Sequence, residues 1–355
     1  MKNLEKYKSL LETGEVDALL LTSEHNRLYA AQYNVAEGVA VIGKTGSYYF
    51  TDIRYIEAAG KNLTGFTVRM TDREHPYTDR INEAIEELTA KVMGFEEEAL
   101  SYGEYMRYNA KLNVVLKPYG EKIGSFRAQK EPWELEIMRQ AQDITDRTFT
   151  ELQSVIRAGM TEKELAAELI YRLYKNGAEG LSFAPIVVSG PNTSLPHGVP
   201  GERELQYGDF ITMDFGCIYK GYCSDMTRTV ALGFVTDEMD KVYHTVLAAQ
   251  LAAIAVTKAG VPGQEIDGAA RKVIADAGYG AYFGHGYGHS LGIEIHEAPN
   301  LNPSNDKPMP VNAVCSAEPG IYLPGKFGVR IEDVTILTEN GCEIITKSPK
   351  NLIIL

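Results

Sequence analysis

Apolar positions fall into short runs through the first third of the chain and into longer, helix-spaced runs through the rest. Residues 17–22 (Asp-Ala-Leu-Leu-Leu-Thr) form a compact apolar run of the buried-strand type. Residues 38–43 and 47–51 read as two further strands, joined by the hairpin signal Lys44-Thr45-Gly46. Residues 4–11 predict a short helix ending before Gly14, residues 52–59 the start of a helix, residues 77–88 a full helix and residues 91–95 a strand. Strands alternating with helices predict a small α/β domain. It contains neither a Gly-rich phosphate loop nor a histidine cluster, so it is expected to shape or cover a site and not to carry chemistry. The boundary falls within residues 126–131, giving domains of residues 1–126 and 127–355. Pro132 then stands at a first helical position, opening a helix from Trp133 to about Ala158. Trp133, the single tryptophan, is expected to be a packing residue at the junction.

The remaining two-thirds contain a repeat. The pattern Ala158-Gly159-Met160-Thr161 through Gly177 returns as Ala259-Gly260-Val261-Pro262 through Gly278, with Glu164 matching Glu265, Leu165 matching Ile266 and Leu173 matching Ile274. In the first copy Thr161 and Glu164 predict a capping box, Leu165, Leu169 and Leu173 one apolar face, and Gly177 the C′ position. A long helix precedes each copy, over residues 133–158 and 238–259. Downstream, Asp214-Phe215-Gly216 parallels Glu318-Pro319-Gly320, and a second strand carries Asp225 in one half and Glu332 in the other. Each half also places a histidine before its hairpin, His197 and His296. Two facing halves with converging acids are expected.

Residues 210–215 alternate, with Phe210 and Thr212 on the side of Asp214 and Ile211, Met213 and Phe215 on the other. An acid in such a strand is poorly solvated, and four converging carboxylates (Asp214, Asp225, Glu318, Glu332) cannot all be ionised without cations. Lys and Arg are scarce nearby apart from Arg228 and Arg330. The stretch 285–297 adds three histidines and two glutamates in thirteen residues, from a total of seven histidines. Alone, this stretch is compatible with a metal site or with a loop of satisfied histidines. Taken with the acids, it points to two divalent ions with open positions, and the oxygen-rich donor set suits Mn²⁺, Co²⁺ or Fe²⁺ at least as well as Zn²⁺.

Composition narrows the setting. The chain has 355 residues and a net charge of −13, which argues against nucleic acid and anionic membranes as partners. The four cysteines fall at no Cys-x-x-Cys spacing and are expected to be reduced thiols. No apolar run has the length of a signal peptide or a membrane span, so a cytoplasmic protein is expected.

Residues 285–297, together with the order Asp, Asp, His, Glu, Glu, resemble the aminopeptidase P / prolidase branch of the pita-bread metallopeptidases. The resemblance covers nearly the whole chain, because the first domain is similar to the creatinase-type N-terminal domain. It implies an α/β protein: a small N-terminal α/β domain followed by a pita-bread α+β catalytic domain with a pseudo-twofold axis. It further implies metal ligands at Asp214, Asp225, His289, Glu318 and Glu332, with Asp225 and Glu332 bridging two ions, Mn²⁺ foremost. By the same resemblance a water acidified by the metals attacks the scissile carbonyl and Glu318 passes its proton towards the leaving proline nitrogen. His197 and His296 hydrogen-bond the substrate and its tetrahedral intermediate, His285 lines the pocket beyond the cleaved bond, and Arg330 orients a carboxylate. A homodimer is implied as well.

The expected substrate is a proline-containing peptide. The X–Pro nitrogen carries no N–H, so a peptidase that docks its substrate as a β-strand is at a disadvantage there. Aminopeptidase P removes one residue from a longer peptide, whereas prolidase cleaves dipeptides and must meet a free carboxylate. In many prolidases, and in some aminopeptidases, an arginine follows the signature in the pattern His-Glu-x-Pro-Arg. Here the stretch reads His296-Glu297-Ala298-Pro299-Asn300, so an aminopeptidase is preferred, with the dipeptidase as the alternative. A metal-free hydrolase, a lyase or a non-catalytic binding member of the fold remain open.

Overall fold

The structure is a computed structural model that describes residues 2–355. The chain divides into two compact units, residues 1–127 and 128–355.

In the first unit, strands β1 (Ala18–Leu21), β2 (Val39–Gly43), β3 (Ser47–Thr51), β4 (Thr67–Met70), β5 (Val92–Phe95) and β6 (Val115–Pro118) form one sheet in the order β4-β3-β2-β1-β5-β6. The pairs β1/β2 and β2/β3 are antiparallel, while β1/β5, β5/β6 and β3/β4 are parallel. The four residues of β1 are all buried, which is why this segment reads as a continuous apolar run. Helices α1 (Lys2–Leu10), α2 (Glu24–Ala31), α3 (Ile56–Asn62), α4 (Tyr77–Leu88), α5 (Tyr102–Lys111) and α6 (Gly120–Ser125) complete the unit. The helix expected from residue 52 begins only at Ile56. The Asp52 carboxylate accepts from Arg54 N at 2.8 Å and from the Arg54 guanidinium, a local turn that competes with helix.

In the second unit, α7 (Pro132–Leu152) and α8 (Glu162–Lys175) precede the first half, and α9 (Asp237–Val256) and α10 (Gly263–Asp276) the second. The first half carries β7 (Gly180–Leu181), β8 (Ile186–Ser189), β9 (Phe210–Phe215), β10 (Cys217–Tyr219), β11 (Tyr222–Cys223) and β12 (Met226–Ala231). The second carries β13 (Gly288–Ser290), β14 (Glu297–Leu301), β15 (Val314–Ala317), β16 (Gly320–Leu323), β17 (Phe327–Arg330), β18 (Asp333–Leu337) and β19 (Cys342–Ile344). β9 lies between β8 and β12, and β15 lies between β13 and β18, all antiparallel. In each half a short hairpin, β10/β11 or β16/β17, interrupts the path between the two long strands.

The repeat is therefore structural. Glycines Gly159 and Gly260 adopt φ of 82° and 85°, a region open to glycine at little cost. From there Gly159 N donates to Leu205 O at 2.9 Å and Gly260 N to Met309 O at 2.8 Å. These bridges also explain why α7 stops at Leu152, short of the expected Ala158, and α9 at Val256: the chain leaves the helix to pair with residue 205 or 309. The Thr161/Glu164 capping box opens α8. Trp133 packs edge-on against Tyr222 within the second unit, ring centroids 6.1 Å apart.

Each half has its own core. Leu165, Leu169 and Leu173 of α8 meet Ile211, Met213 and Phe215 of β9, and Ile266, Ala270 and Ile274 of α10 meet Cys315 and Ala317 of β15. Leu169 is fully buried, whereas its neighbour but one, Tyr171, is 61% exposed. Leu169→Ala is therefore expected to cost about 2–5 kcal/mol in urea unfolding, and Tyr171→Ala less than about 0.5 kcal/mol. Among the described residues no helix is long and apolar enough to cross a membrane.

Candidate metal centre

The two halves place their acids at matching points. Asp214 is the fifth residue of β9 and Glu318 follows β15 directly, each just ahead of the short hairpin. Asp225 and Glu332 each stand one residue before the next long strand, β12 or β18. Side-chain alternation turns Ile211, Met213 and Phe215 into the first core and leaves Asp214 on the opposite face, where Thr212 and Thr229 share a hydrogen bond of 3.0 Å.

These acids open on a cavity of about 580 Å³. It is lined by Asp214, Asp225, Glu318, Glu332, His197, His285, His289, His296 and Arg330, so all nine residues singled out above meet at one place. Apolar walls come from Phe183, Pro185, Ile186, Val199 and Ile295.

The donor set is arranged for cations. His289 Nδ1 lies 3.2 Å from Ser290 O, a carbonyl that can only accept, so Nδ1 carries the proton and Nε2 presents a lone pair. That lone pair faces Glu318 Oε1 at 3.3 Å and Asp225 Oδ2 at 3.6 Å. An imidazole lone pair against two carboxylate oxygens is repulsive unless a positive ion or proton lies between them. Ligand atoms of Asp225, His289 and Glu332 fall within 4.8 Å of one another. Buried oxygens Asp214 Oδ1, Asp225 Oδ1 and Glu332 Oε1 have no hydrogen-bond donor. Orphaned carboxylate oxygens at this depth are costly. The residues fit a cluster of divalent ions.

Electrostatics agree. Burial first, and then the charges of Asp214 and Glu318, push the Asp225 carboxyl well above the usual carboxylate range. Burial and the charge of Asp225 do the same to Glu332, and burial raises Glu318. Burial lowers His289, and burial together with the neighbouring His289 lowers His296, favouring neutral imidazoles. Groups this strongly displaced, gathered in one cleft, mark a functional site.

Arg330 pairs with a carboxylate of the first half. Its Nη2 donates to Asp214 Oδ2 at 2.6 Å, across the two halves, and it reaches Glu332 only through Thr227. Thr227 Oγ1 donates to Glu332 Oε2 at 2.7 Å and accepts from Arg330 Nε at 3.0 Å. Arg228 is turned to Asp333 and the carbonyl of Ser348. Sequence reasoning missed Thr227, Tyr322 and Ser316. Tyr322 links Arg330 Nη1 (2.8 Å) to His285 Nε2 (3.0 Å), and Ser316 links His289 N to Glu318 Oε1. Thr227 and Ser316 left a signal, since each lies two residues from an acid, Asp225 or Glu318, along an alternating strand.

His285 Nδ1 is 2.8 Å from Gly286 O, so its Nε2 accepts from the Tyr322 hydroxyl. The His296 ring stands 4.4 Å from that of His289 at 71°. His197 lies on the loop between β8 and β9, the counterpart of the path from β13 to β15 that holds His296.

A two-unit α/β protein whose second unit joins two matching halves around buried acids and one imidazole is the architecture of a metallopeptidase. The chain belongs to Metallopeptidase family M24, matched over residues 136–339, and residues 3–129 match the Creatinase/Prolidase N-terminal domain. It is thus a hydrolase with a creatinase-type first domain and a pita-bread catalytic domain, in a family that uses two divalent ions. It is similar to an Xaa-Pro dipeptidase from Bacillus anthracis (TM-score 0.96, 40% identity, covering 100% of this chain and 99% of that one). An X-Pro aminopeptidase from Thermotoga maritima superposes with a TM-score of 0.93 at 37% identity, covering 99% of both chains. An Xaa-Pro dipeptidase from Pyrococcus horikoshii is 32% identical over 355 residues, 98% of this chain and 99% of that protein.

Proposed function

We propose that the protein is an Xaa-Pro dipeptidase, a prolidase. This revises the preference for an aminopeptidase that rested on Asn300. Support comes from full-length similarity to Xaa-Pro dipeptidases of two organisms. A single uncharged residue after the histidine motif is weak ground against it, because neutral side chains can also hydrogen-bond a carboxylate. The observation that carries the hydrolytic reading is the His289 lone pair set against Glu318 and Asp225 with three further carboxylate oxygens unpartnered.

Asp214, Asp225, His289, Glu318 and Glu332 would hold two divalent ions, Mn²⁺ before Co²⁺, Zn²⁺ or Fe²⁺. Bound, the ions supply Lewis-acid polarisation of the scissile carbonyl and acidify the attacking water. Glu318 would take up a proton from the attacking water and deliver it to the proline nitrogen. His296 and His197 orient the substrate and donate to the developing oxyanion. His285, fixed by Tyr322, borders the proline side of the pocket, and Arg330 holds Asp214 in its ligating rotamer. The working form is a cytoplasmic homodimer.

Offering Xaa-Pro and Xaa-Pro-Yaa peptides side by side with Mn²⁺, Co²⁺ or Zn²⁺ tests the reading. The dipeptide is expected to turn over at least about tenfold faster, a difference of about 1.4 kcal/mol in transition-state binding. Preferential cleavage of the tripeptide would restore the aminopeptidase.

A further inference from the structure

Among the residues that do not line the cavity is another buried charge pair. Lys130 Nζ is 3.1 Å from Glu297 Oε2, and both side chains are only 2% exposed. Lys130 stands just before α7, where its N donates to Asn312 O at 3.1 Å. Glu297 is the first residue of β14, directly after His296.

The other oxygen of Glu297 closes a turn. Ile293 N donates to Glu297 Oε1 at 3.0 Å and Glu294 N to the same atom at 3.1 Å. The carboxylate sits so close to Gly292 that a Cβ there would lie 2.6 Å from Oε2, so only glycine leaves room for it. The turn is tied from outside as well: Cys223 N donates to Gly292 O at 2.7 Å, two residues before Asp225. Ile293 N and Glu294 N thus converge on one carboxylate, Gly292 N closes the turn on Glu294 O at 3.0 Å, and Gly292 O is held from the strand that leads to Asp225. The chain runs from this turn straight into His296, whose ring meets that of His289 at 4.4 Å.

A neutral cap could close the turn. A buried ion pair adds a long, fixed strut from an element outside the turn, at a desolvation cost that stability alone does not repay. We propose that Lys130 and Glu297 are positioning residues: the ammonium holds the Glu297 carboxylate, the carboxylate holds the 292–294 turn, and the turn sets the His296 ring over the metal centre. The catalytic consequence rests on the Xaa-Pro hydrolysis proposed above, while the positional consequence does not.

Lys130→Met, Glu297→Gln and the double variant test it, with three measurements: thermal unfolding, Mn²⁺ stoichiometry by titration, and imidazole NMR signals of histidine-labelled, metal-free protein. The His296 signal is assigned by its loss in His296→Ala. In Lys130→Met the His296 signal is expected to move while Mn²⁺ stoichiometry stays at the wild-type value. On an Xaa-Pro dipeptide kcat falls about tenfold or more and KM changes less than about twofold, the signature of a misplaced group and not of lost binding. The double variant, which leaves no unpaired buried charge, regains the Tm lost in Lys130→Met but neither the signal position nor kcat. Recovery of all three together would reduce the pair to a structural role and overturn the proposal. So would an unmoved His296 signal in both Lys130→Met and Glu297→Gln. If Lys130→Met does not fold, Glu297→Gln and the double variant give the same reading. If the wild-type enzyme leaves every Xaa-Pro peptide intact, the proposed activity fails, and the NMR signal still decides the positioning role.

Discussion

Glu332→Gln is expected to abolish metal-dependent hydrolysis and at the same time to make the metal-free protein more stable. Both effects have one source. Glu332 is buried, its Oε1 has no donor, and burial with the charges of Asp225, Glu318 and Asp214 holds its carboxyl well above the ordinary range. Without ions this crowd of acids opposes folding. A carboxyl whose folded pKa is raised adds stability fully below its unfolded value, and loses it as pH rises through the folded value. The Tm of the metal-free enzyme should therefore fall as pH climbs from about 4. Divalent ions should restore it by binding the folded state alone. In Glu332→Gln the pH slope becomes shallower, the metal-induced rise in Tm shrinks and activity drops by about 10³-fold or more, in keeping with the several kcal/mol a metal contributes to a transition state. Calorimetry across pH, with chelator and then with Mn²⁺, reads all three. A variant that turned over normally, or whose Tm still rose fully with metal, would remove Glu332 from the ligand set.

His296→Ala separates catalysis from metal binding. Its ring stands beside His289, but the tight group of potential ligand atoms is Asp225, His289 and Glu332. Turnover is expected to fall by about 10²–10³-fold, the range for losing one oxyanion donor, with metal content unchanged. His289→Ala should lower both. Metal analysis of the purified variants beside their kcat distinguishes the cases: parallel loss of metal and activity in His296→Ala would make it a ligand.

Much of this could be read from residue order, and the reasons are physical. The acids were visible because a carboxylate in Phe210-Ile-Thr-Met-Asp-Phe215 contradicts its apolar surroundings, and such conflicts are rare outside functional sites. The repeat was visible because both halves need the same apolar helix face and the same glycines at matching bends. Helix ends were less legible. α7 stops at Leu152 for a bridge from Gly159 to Leu205, a partner more than forty residues away that no local propensity reveals. The link from Arg330 to Asp214 was hidden for the same reason: it crosses between halves, 116 positions apart along the chain. Substrate length was the least legible, since it turns on what meets the proline carboxylate, and Asn300 answers that only by its lack of charge.

The division of the acids between two halves bears on how the chain is made. Asp214 and Asp225 are synthesised about a hundred residues ahead of Glu318 and Glu332. At roughly 5–20 residues per second, the earlier pair waits about 5–20 s on the ribosome before its counterparts exist. During that interval the first half holds two acids bound for burial and no means of sharing a cation with the second. A nascent chain halted before β13 should therefore be blind to Mn²⁺, and sensitivity to the ion should arise in one step as His289 and the later acids emerge.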